Sequence, residues 1–169
     1  MPISVEASCI VVADAGPLIA LGRIDALDLL PKLFARIDVT ETVIAECLTQ
    51  PDLPDARRIA AALSSGWLMP CPDLLDLVDG NIHPGEASTI ARALQNGIDL
   101  LMDDRVAVAF ARQLGLKVIG TLGILILAKR RGHIVHVAPL VERLRTGGHY
   151  LGTAAVLTAL EVAGEEPED

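Results

Sequence analysis

The sequence has very few aromatic and cysteine residues. Its four aromatic residues are Phe34, Trp67, Phe110 and Tyr150. They are too few and too scattered to form the base-stacking platform of proteins that bind single-stranded nucleic acids. Its three cysteines are Cys9, Cys47 and Cys71. They are widely spaced and form no Cys-x-x-Cys pair, so we expect buried thiols in a reducing, cytoplasmic compartment rather than a disulfide or a zinc site.

Long apolar runs and an excess of basic residues are also missing. The longest apolar runs, such as residues 122–128, are far shorter than the ~20 residues that a membrane span needs, and no secretory leader precedes Cys9. Lys and Arg number 14 against 22 Asp and Glu, for a net charge of −8. This balance argues against a protein that coats nucleic acid by neutralising its phosphates. The glycine-rich motifs of nucleotide hydrolysis and dinucleotide binding do not occur.

The rest of the composition is that of one globular domain. Hydrophobic residues make up 51% of the 169 residues, which is enough to bury a core without disulfides. No internal repeat or long linker divides the chain. We therefore expect a single domain over residues 1–164, followed at residues 165–169 by an acidic tail that is solvated and frayed.

Short apolar runs alternate with helix-like segments along the chain. Strands are predicted at residues 9–14, 36–40, 67–69, 98–102, 117–119 and 134–137. The first, Cys-Ile-Val-Val-Ala-Asp, is apolar throughout until its final acid, which is typical of a strand buried on both faces. Thr40 is predicted to cap the helix that follows it. The alternation of strands and helices predicts an α/β fold with a parallel sheet.

The helix predicted at residues 85–96 has a regular apolar spacing. Ala87, Ile90, Ala91 and Leu94 recur at the helical period, which predicts that these four residues are buried. Gly97 is predicted to end this helix.

Acidic residues follow the predicted strands. The candidate site residues are Asp14, Glu46, Glu86, Asp103, Asp104 and Thr121. Asp14 ends the first strand, Asp103 and Asp104 follow the strand at residues 98–102, and the two glutamates lie on inward-leaning borders of helices. Because ligands of open α/β sheets bind outside the carboxyl ends of the strands, we expect these side chains to share one crevice.

Several carboxylates in one crevice need a cation. Without one, their mutual repulsion would strongly raise their pKa values. Mg²⁺ and Mn²⁺ prefer carboxylate oxygens and keep several waters. Such ions generate a nucleophile from water and stabilise charge on a phosphoryl group, so the pattern favours metal-assisted phosphodiester hydrolysis.

Each acid alone also has an ordinary structural interpretation. Asp14 is typical of a turn or a helix cap, Glu46 of a solvated flank, and Glu86 of a partner for the helix dipole. Asp103 and Asp104 are typical of a capped helix start. These alternatives stay open for each residue, and only the repeated placement at one edge favours a shared site.

Four motifs carry a family resemblance. They are Val12-Ala13-Asp14-Ala15-Gly16-Pro17-Leu18-Ile19, Val43-Ile44-Ala45-Glu46, Gly85-Glu86-Ala87 and Met102-Asp103-Asp104-Arg105. In this order they resemble the motifs of PIN domains, metal-dependent ribonucleases that include many toxins of bacterial and archaeal toxin-antitoxin pairs. The later Gly120-Thr121-Leu122-Gly123-Ile124-Leu125 and a closing Gly-Glu are similar to a subgroup of bacterial and archaeal PIN-like proteins. The resemblance covers nearly the whole chain.

The resemblance implies a fold, a site and partners. It implies a three-layer α/β/α sandwich, a homodimer, an RNA substrate and, for a toxin, an antitoxin protein as partner. Asp14, Glu46, Glu86 and Asp104 match the catalytic acids that hold Mg²⁺ or Mn²⁺, with Asp103 as a candidate additional ligand. Thr121 matches a position often filled by an acid or a hydroxyl, so this sequence departs from the pattern of four or five acids.

The sequence therefore predicts a cytoplasmic, divalent-metal-dependent endoribonuclease, with toxin of a toxin-antitoxin pair as its cellular role. Two alternatives stay open: a catalytically weak module that binds protein or RNA, and a metal-dependent phosphatase of small phosphate esters. Arg105 and the basic residues 129–131 are candidates to meet phosphates, although a basic helix end interacting with its own dipole is the simpler interpretation. The histidines show no metal-binding spacing and are expected at the surface or in loops: His83, His133, His136 and His149.

Overall fold

A parallel sheet forms the centre of the molecule. The computed structural model describes residues 9–74 and 81–166 of the chain. Within them the strands are β1 (Ile10–Ala13), β2 (Arg36–Thr40), β3 (Leu68–Cys71), β4 (Asp99–Leu101) and β5 (Val118–Ile119). Their order in the sheet is β3-β2-β1-β4-β5, and every neighbouring pair is parallel. The predicted parallel α/β sheet is confirmed.

Helices connect the strands and cover both faces of the sheet. In the described ranges they are α1 (Ala15–Arg23), α2 (Leu29–Leu33), α3 (Glu41–Cys47), α4 (Pro54–Ser65), α5 (Pro84–Asn96), α6 (Arg105–Gln113), α7 (Thr121–Arg130), α8 (Ala138–Thr146) and α9 (Thr153–Ala163). Successive side chains of a strand point to opposite faces. Accordingly Val11 of β1 belongs to one buried cluster with Leu18 of α1, and Val12 belongs to a second with Ile90 of α5 and Ala107 of α6. The two cores confirm the three-layer α/β/α sandwich.

Local sequence signals set several element boundaries. The strand predicted at residues 36–40 coincides with β2, and the Thr40 hydroxyl accepts a hydrogen bond from the Val43 N–H at 3.4 Å, as expected for the cap of α3. Pro70, which lies just beyond the strand predicted at residues 67–69, is within β3. This is tolerated because β3 is an edge strand, where the missing N–H of proline leaves no ladder bond unmade.

The helix at residues 84–96 is turned differently from the prediction. Leu94 is exposed, whereas Ser88 and Thr89 are fully buried. Both hydroxyls donate to the Gly85 carbonyl oxygen, and the Ser88 hydroxyl also lies 2.7 Å from that of Thr40. These hydrogen bonds satisfy the buried hydroxyl groups, so Ser88 and Thr89 can lie in the interior. A pattern of apolar residues alone does not reveal such bonds.

The segment at residues 134–137 is not a strand, and the tail is not free at its start. The Glu165 carboxylate accepts hydrogen bonds from the N–H groups of Val137 and Ala138 at 2.7 and 2.8 Å. It also accepts one from Lys129 Nζ at 2.6 Å. These bonds hold the residues before α8 in a helix start rather than in a sheet ladder. The expectation that Glu165 is solvated is therefore wrong, while residues 167–169 of the predicted tail lie outside the described residues.

Two further properties concern the helices and the cysteines. In the part of the chain that the structure describes, every helix is too short or too polar to cross a bilayer. The three cysteines are free thiols, and Cys47 and Cys71 are buried.

Candidate functional site

The site lies where the connections of the sheet change direction. From β1 the chain proceeds to β2 and β3 on one side, and then returns to place β4 and β5 on the other side. Open α/β sheets bind ligands at this point, outside the carboxyl ends of the two central strands. Asp14 follows β1 directly, and its N–H donates to the Leu101 carbonyl of β4 at 2.9 Å. Asp14 is thereby fixed at the switch point.

The Asp14 carboxyl group is buried without enough partners. Its side chain is 5% exposed, and Oδ1 has no hydrogen-bond partner among the described residues. Asp14 occupies the N-cap position of α1, but its side chain makes no capping hydrogen bond, so the helix-cap interpretation does not hold. Burial raises the pKa of Asp14, the N–H of Ala15 partly offsets this, and the negative charges of Glu86, Glu46 and Asp103 add to the rise, so that the pKa reaches about 7 in total.

Glu46 and Glu86 approach each other at the start of α5. A Cβ atom placed on Gly85 would lie 2.8 Å from Glu46 Oε2, so the Glu46 carboxylate fills the space that the missing side chain leaves. Burial raises the pKa of Glu86, and so do the charges of Asp104 and Glu46. Asp14, Glu46 and Glu86 thus influence one another electrostatically.

Gly85 provides a test of this arrangement. The variant Gly85→Ala is expected to displace the Glu46 carboxylate. We expect the metal-dependent RNA cleavage that the sequence predicts to fall by about 10- to 100-fold, because a small misplacement of a reacting group slows a reaction strongly. Its unfolding free energy should stay the same or rise by up to about 1 kcal/mol, since alanine suits a helix better than glycine. Activity assays with and without Glu46→Gln check this: if Gly85 acts through Glu46, Gly85→Ala causes no further loss in the Glu46→Gln background.

Asp103 follows β4 and is held by Thr121. The Thr121 N–H donates to Asp103 Oδ1 at 2.7 Å, and the Thr121 hydroxyl donates to Oδ2 at 2.6 Å. His149 Nε2 lies 3.6 Å from Oδ2. Burial raises the pKa of Asp103, but His149 and the two Thr121 donors outweigh it, so the pKa is lowered overall. Asp103 is therefore a stable anion beside Asp14.

The role of Thr121 is to orient this anion. Thr121→Val keeps the shape but removes the hydroxyl donor, so the pKa of Asp103 should rise and activity should fall about tenfold or more, as for other residues that orient a ligand. Thr121→Ser retains the donor and is the matched control. A loss in Thr121→Ser but not in Thr121→Val would show that the methyl group, and not the hydroxyl, matters.

Asp104 and Arg105 lie at the start of α6. Asp104 is exposed, and its Oδ1 accepts hydrogen bonds from the N–H groups of Val106 and Ala107 at 3.0 and 2.9 Å. It is the cap of α6, as its alternative interpretation proposed, although its charge still acts on Glu86. Arg105 is exposed at the rim of a cavity that Asp103 also lines. Of the two neighbouring acids, Asp103 is the one whose charge acts on Asp14.

The acids do not form a preformed cage. Within residues 9–74 and 81–166, no group of three or more His, Cys, Asp or Glu side chains is arranged to hold a metal ion. That the four carboxylates act together as metal ligands stays a prediction. The structure shows a looser set, in which Asp14 lies among charges from three other acids.

Two histidines near the site were missed by the sequence. His83 Nδ1 lies 4.0 Å from Glu46 Oε2 and accepts the Gly85 N–H, and His149 lies beside Asp103. Both come from loops, as expected, but they were assigned no functional role. His83 is the N-cap of α5, three residues before Glu86, and His149 reaches Asp103 from a segment distant in sequence, so no metal-binding spacing signals either of them.

Comparison with known proteins identifies the family. The family model described as DUF3368, a PIN domain, matches residues 10–165, nearly all of the chain. The protein belongs to the PIN domain family. PIN domains are generally nucleases and usually bind divalent metals. The match runs through Glu165, so this residue is part of the domain.

The chain was also compared with solved structures and with curated proteins. A PilT N-terminus domain protein from the hyperthermophilic archaeon Sulfolobus solfataricus P2 is 15% identical to this PIN domain, with a TM-score of 0.47. The alignment covers 85% of this chain and 97% of the archaeal one. No curated protein is significantly similar in sequence.

Proposed function

We infer that this PIN domain is a divalent-metal-dependent endoribonuclease that hydrolyses RNA phosphodiester bonds. The observation that carries the inference is Asp14: a carboxyl group buried at the switch point of the sheet, with an unpartnered oxygen and three acidic neighbours. A buried carboxylate in such surroundings is stabilised by a cation. An ordinary structural role would have given it a hydrogen-bond donor.

The donor set suits Mg²⁺ or Mn²⁺. Its members are carboxylate oxygens, which these hard ions prefer. Mg²⁺ is commonly held by one or two carboxylates together with waters and substrate phosphates, so a loose set of acids is compatible with it. Asp14, with Glu46 and Glu86, would hold the ion. When bound, it would activate a water molecule and stabilise the charge that develops on the phosphoryl group.

The chain's own groups have distinct roles. Asp14 supplies the buried oxygen that needs a positive partner, and Glu46 and Glu86 supply charge from the opposite side of the crevice. Asp103 is a fixed anion, aligned by Thr121 and ready to orient a water molecule. Asp104 contributes charge from the start of α6, while its Oδ1 remains committed to the helix.

The compartment, cellular role and partners of the enzyme are proposed from its family and its free thiols. We place it in the cytoplasm, because three free thiols suit a reducing compartment. Its role would be that of a toxin in a toxin-antitoxin pair, with an antitoxin protein as partner and a homodimer as the assembly. Size measurement in solution and co-purification with the product of a neighbouring small gene test these assignments.

Activity assays separate this function from its alternatives. Labelled RNA and small phosphate esters are incubated with the purified protein and Mn²⁺ or Mg²⁺, or with EDTA. RNA cleavage that requires metal supports the nuclease. Hydrolysis of the esters alone would indicate a phosphatase, and binding of RNA without hydrolysis in any metal would indicate an interaction module.

A further inference from the structure

A cavity of about 450 Å³ adjoins the acids on the side of β5. Its volume lies within the range of sites that bind small molecules. Asp103 and Arg105 line it from the start of α6, and His149, Tyr150 and Ala155 line it from the end of the chain. The functions proposed above for the acidic residues do not make use of this cavity.

The walls of the cavity suit a flat, apolar group. Leu122, Leu151 and Ala155 form its apolar sides. Tyr150, the only tyrosine of the chain, also lines it, and its side chain is 87% exposed. An aromatic ring that is not packed into the core is available to stack on a ligand, and nucleobases stack readily on such rings.

Charged side chains of both signs line the cavity. The guanidinium group of Arg105 is suited to phosphate oxygens. Asp103, whose charge acts on Asp14, also lines the cavity. A ligand whose flat part lies against Tyr150 would have its phosphate near Arg105.

We propose that this cavity binds one nucleotide of the RNA, with its base stacked on Tyr150 and its phosphate near Arg105, next to the phosphodiester bond that is cleaved. That the nucleotide belongs to an RNA substrate rests on the proposed nuclease function. Binding of the nucleotide itself requires only the cavity.

Binding is tested without metal, using AMP as the probe. Because Tyr150 is the only tyrosine, its ring protons can be followed by NMR in the wild-type protein in EDTA. AMP should shift these resonances saturably through the ring current of the stacked base, whereas ribose 5-phosphate should not. Arg105→Gln should weaken binding of AMP but not of adenosine. Absence of a saturable shift with AMP would overturn the proposal.

A pair of variants shows whether the cavity is the binding site. Ala155→Leu adds bulk at an exposed position on the cavity wall and should weaken AMP binding at least tenfold. Ala61→Leu makes the same change at an exposed position on α4, which packs near the opposite edge of the sheet, and should leave it unchanged. Equal binding by both variants would overturn the proposal.

RNA cleavage with Mn²⁺ then separates the two proposals. If AMP binds at Tyr150 but RNA is never cleaved, the nucleotide site stands and the nuclease fails. If RNA is cleaved and Ala155→Leu cleaves it as the wild type does, the nuclease stands and the nucleotide site fails. Reduced cleavage by Ala155→Leu at low RNA concentration, recovered at high concentration, supports both.

Discussion

Replacing Asp14 by asparagine is expected to abolish RNA cleavage while making the metal-free protein more stable at pH 8. The amide keeps the shape of the side chain but cannot carry the charge that binds a cation. Loss of charge stabilisation worth several kcal/mol corresponds to a decrease in rate of about 100-fold or more. Cleavage of labelled RNA in Mn²⁺ and denaturant unfolding in EDTA measure the two effects.

The gain in stability follows from the raised pKa of Asp14. An acid whose pKa is higher in the folded state stabilises the fold fully below its unfolded pKa of 3.8, and this stabilisation is lost as the pH rises through about 7. The metal-free wild type should therefore lose at most about 4 kcal/mol between pH 4 and pH 8, at 1.36 kcal/mol for each pKa unit. Asp14→Asn should lack this loss.

Asp28→Asn is the control for the Asp14 variant. Asp28→Asn changes an exposed acid that pairs with Lys32 on the surface, and it should leave both cleavage and the pH profile unchanged. Wild-type cleavage by Asp14→Asn would refute the site. If the stability of the metal-free wild type did not change with pH, the pKa of Asp14 would not be raised by its burial as described above.

Replacing Glu165 by glutamine is expected to destabilise the fold by about 2 to 4 kcal/mol at pH 7. The change breaks a partly buried ion pair with Lys129 and leaves the lysine without its partner. It also weakens the acceptor for two N–H groups at the start of α8, which is worth about 1 kcal/mol for a helix cap. Denaturant unfolding of the two proteins measures the difference.

The pH dependence distinguishes this mechanism from a packing defect. Hydrogen bonds from Lys129, Val137 and Ala138 outweigh burial and lower the pKa of Glu165 to about 2. The stabilisation is therefore present above the unfolded pKa of 4.5 and is lost as the pH falls through about 2. The difference between wild type and Glu165→Gln should vanish over that range, whereas a packing defect would persist. Glu166→Gln, which changes the exposed neighbouring acid, should have no effect.

Local pattern was sufficient for most of the elements. The apolar run before Asp14, the cap at Thr40 and the alternation of strands and helices predicted the sheet, because burial and capping depend on residues close in sequence. The predictions that were wrong involve partners far along the chain. Leu94 was expected inside because the hydrogen bond between Ser88 and Thr40, 48 residues apart, is not visible in a hydrophobic pattern.

The candidate site shows the same division. Asp14 was found from its position at the end of a strand, and its role stays a prediction for experiment. The choice between Asp103 and Asp104 could not be made from their order, since adjacent residues point in different directions. In the structure, Asp104 bonds to its own helix while Asp103 bonds to Thr121, 18 residues away.

By itself, the sequence determined the strands of a parallel sheet and the acids that follow them, since burial patterns are written in neighbouring residues, while the layered architecture was implied by the family resemblance. Only the tertiary structure decided how those acids are used: which one lacks a partner, which one caps a helix, and which histidines approach them. It also revealed the cavity beside Tyr150 and the anchoring of Glu165. These features arise where segments far apart in the chain meet, and burial and charge at such meetings depend on the complete fold.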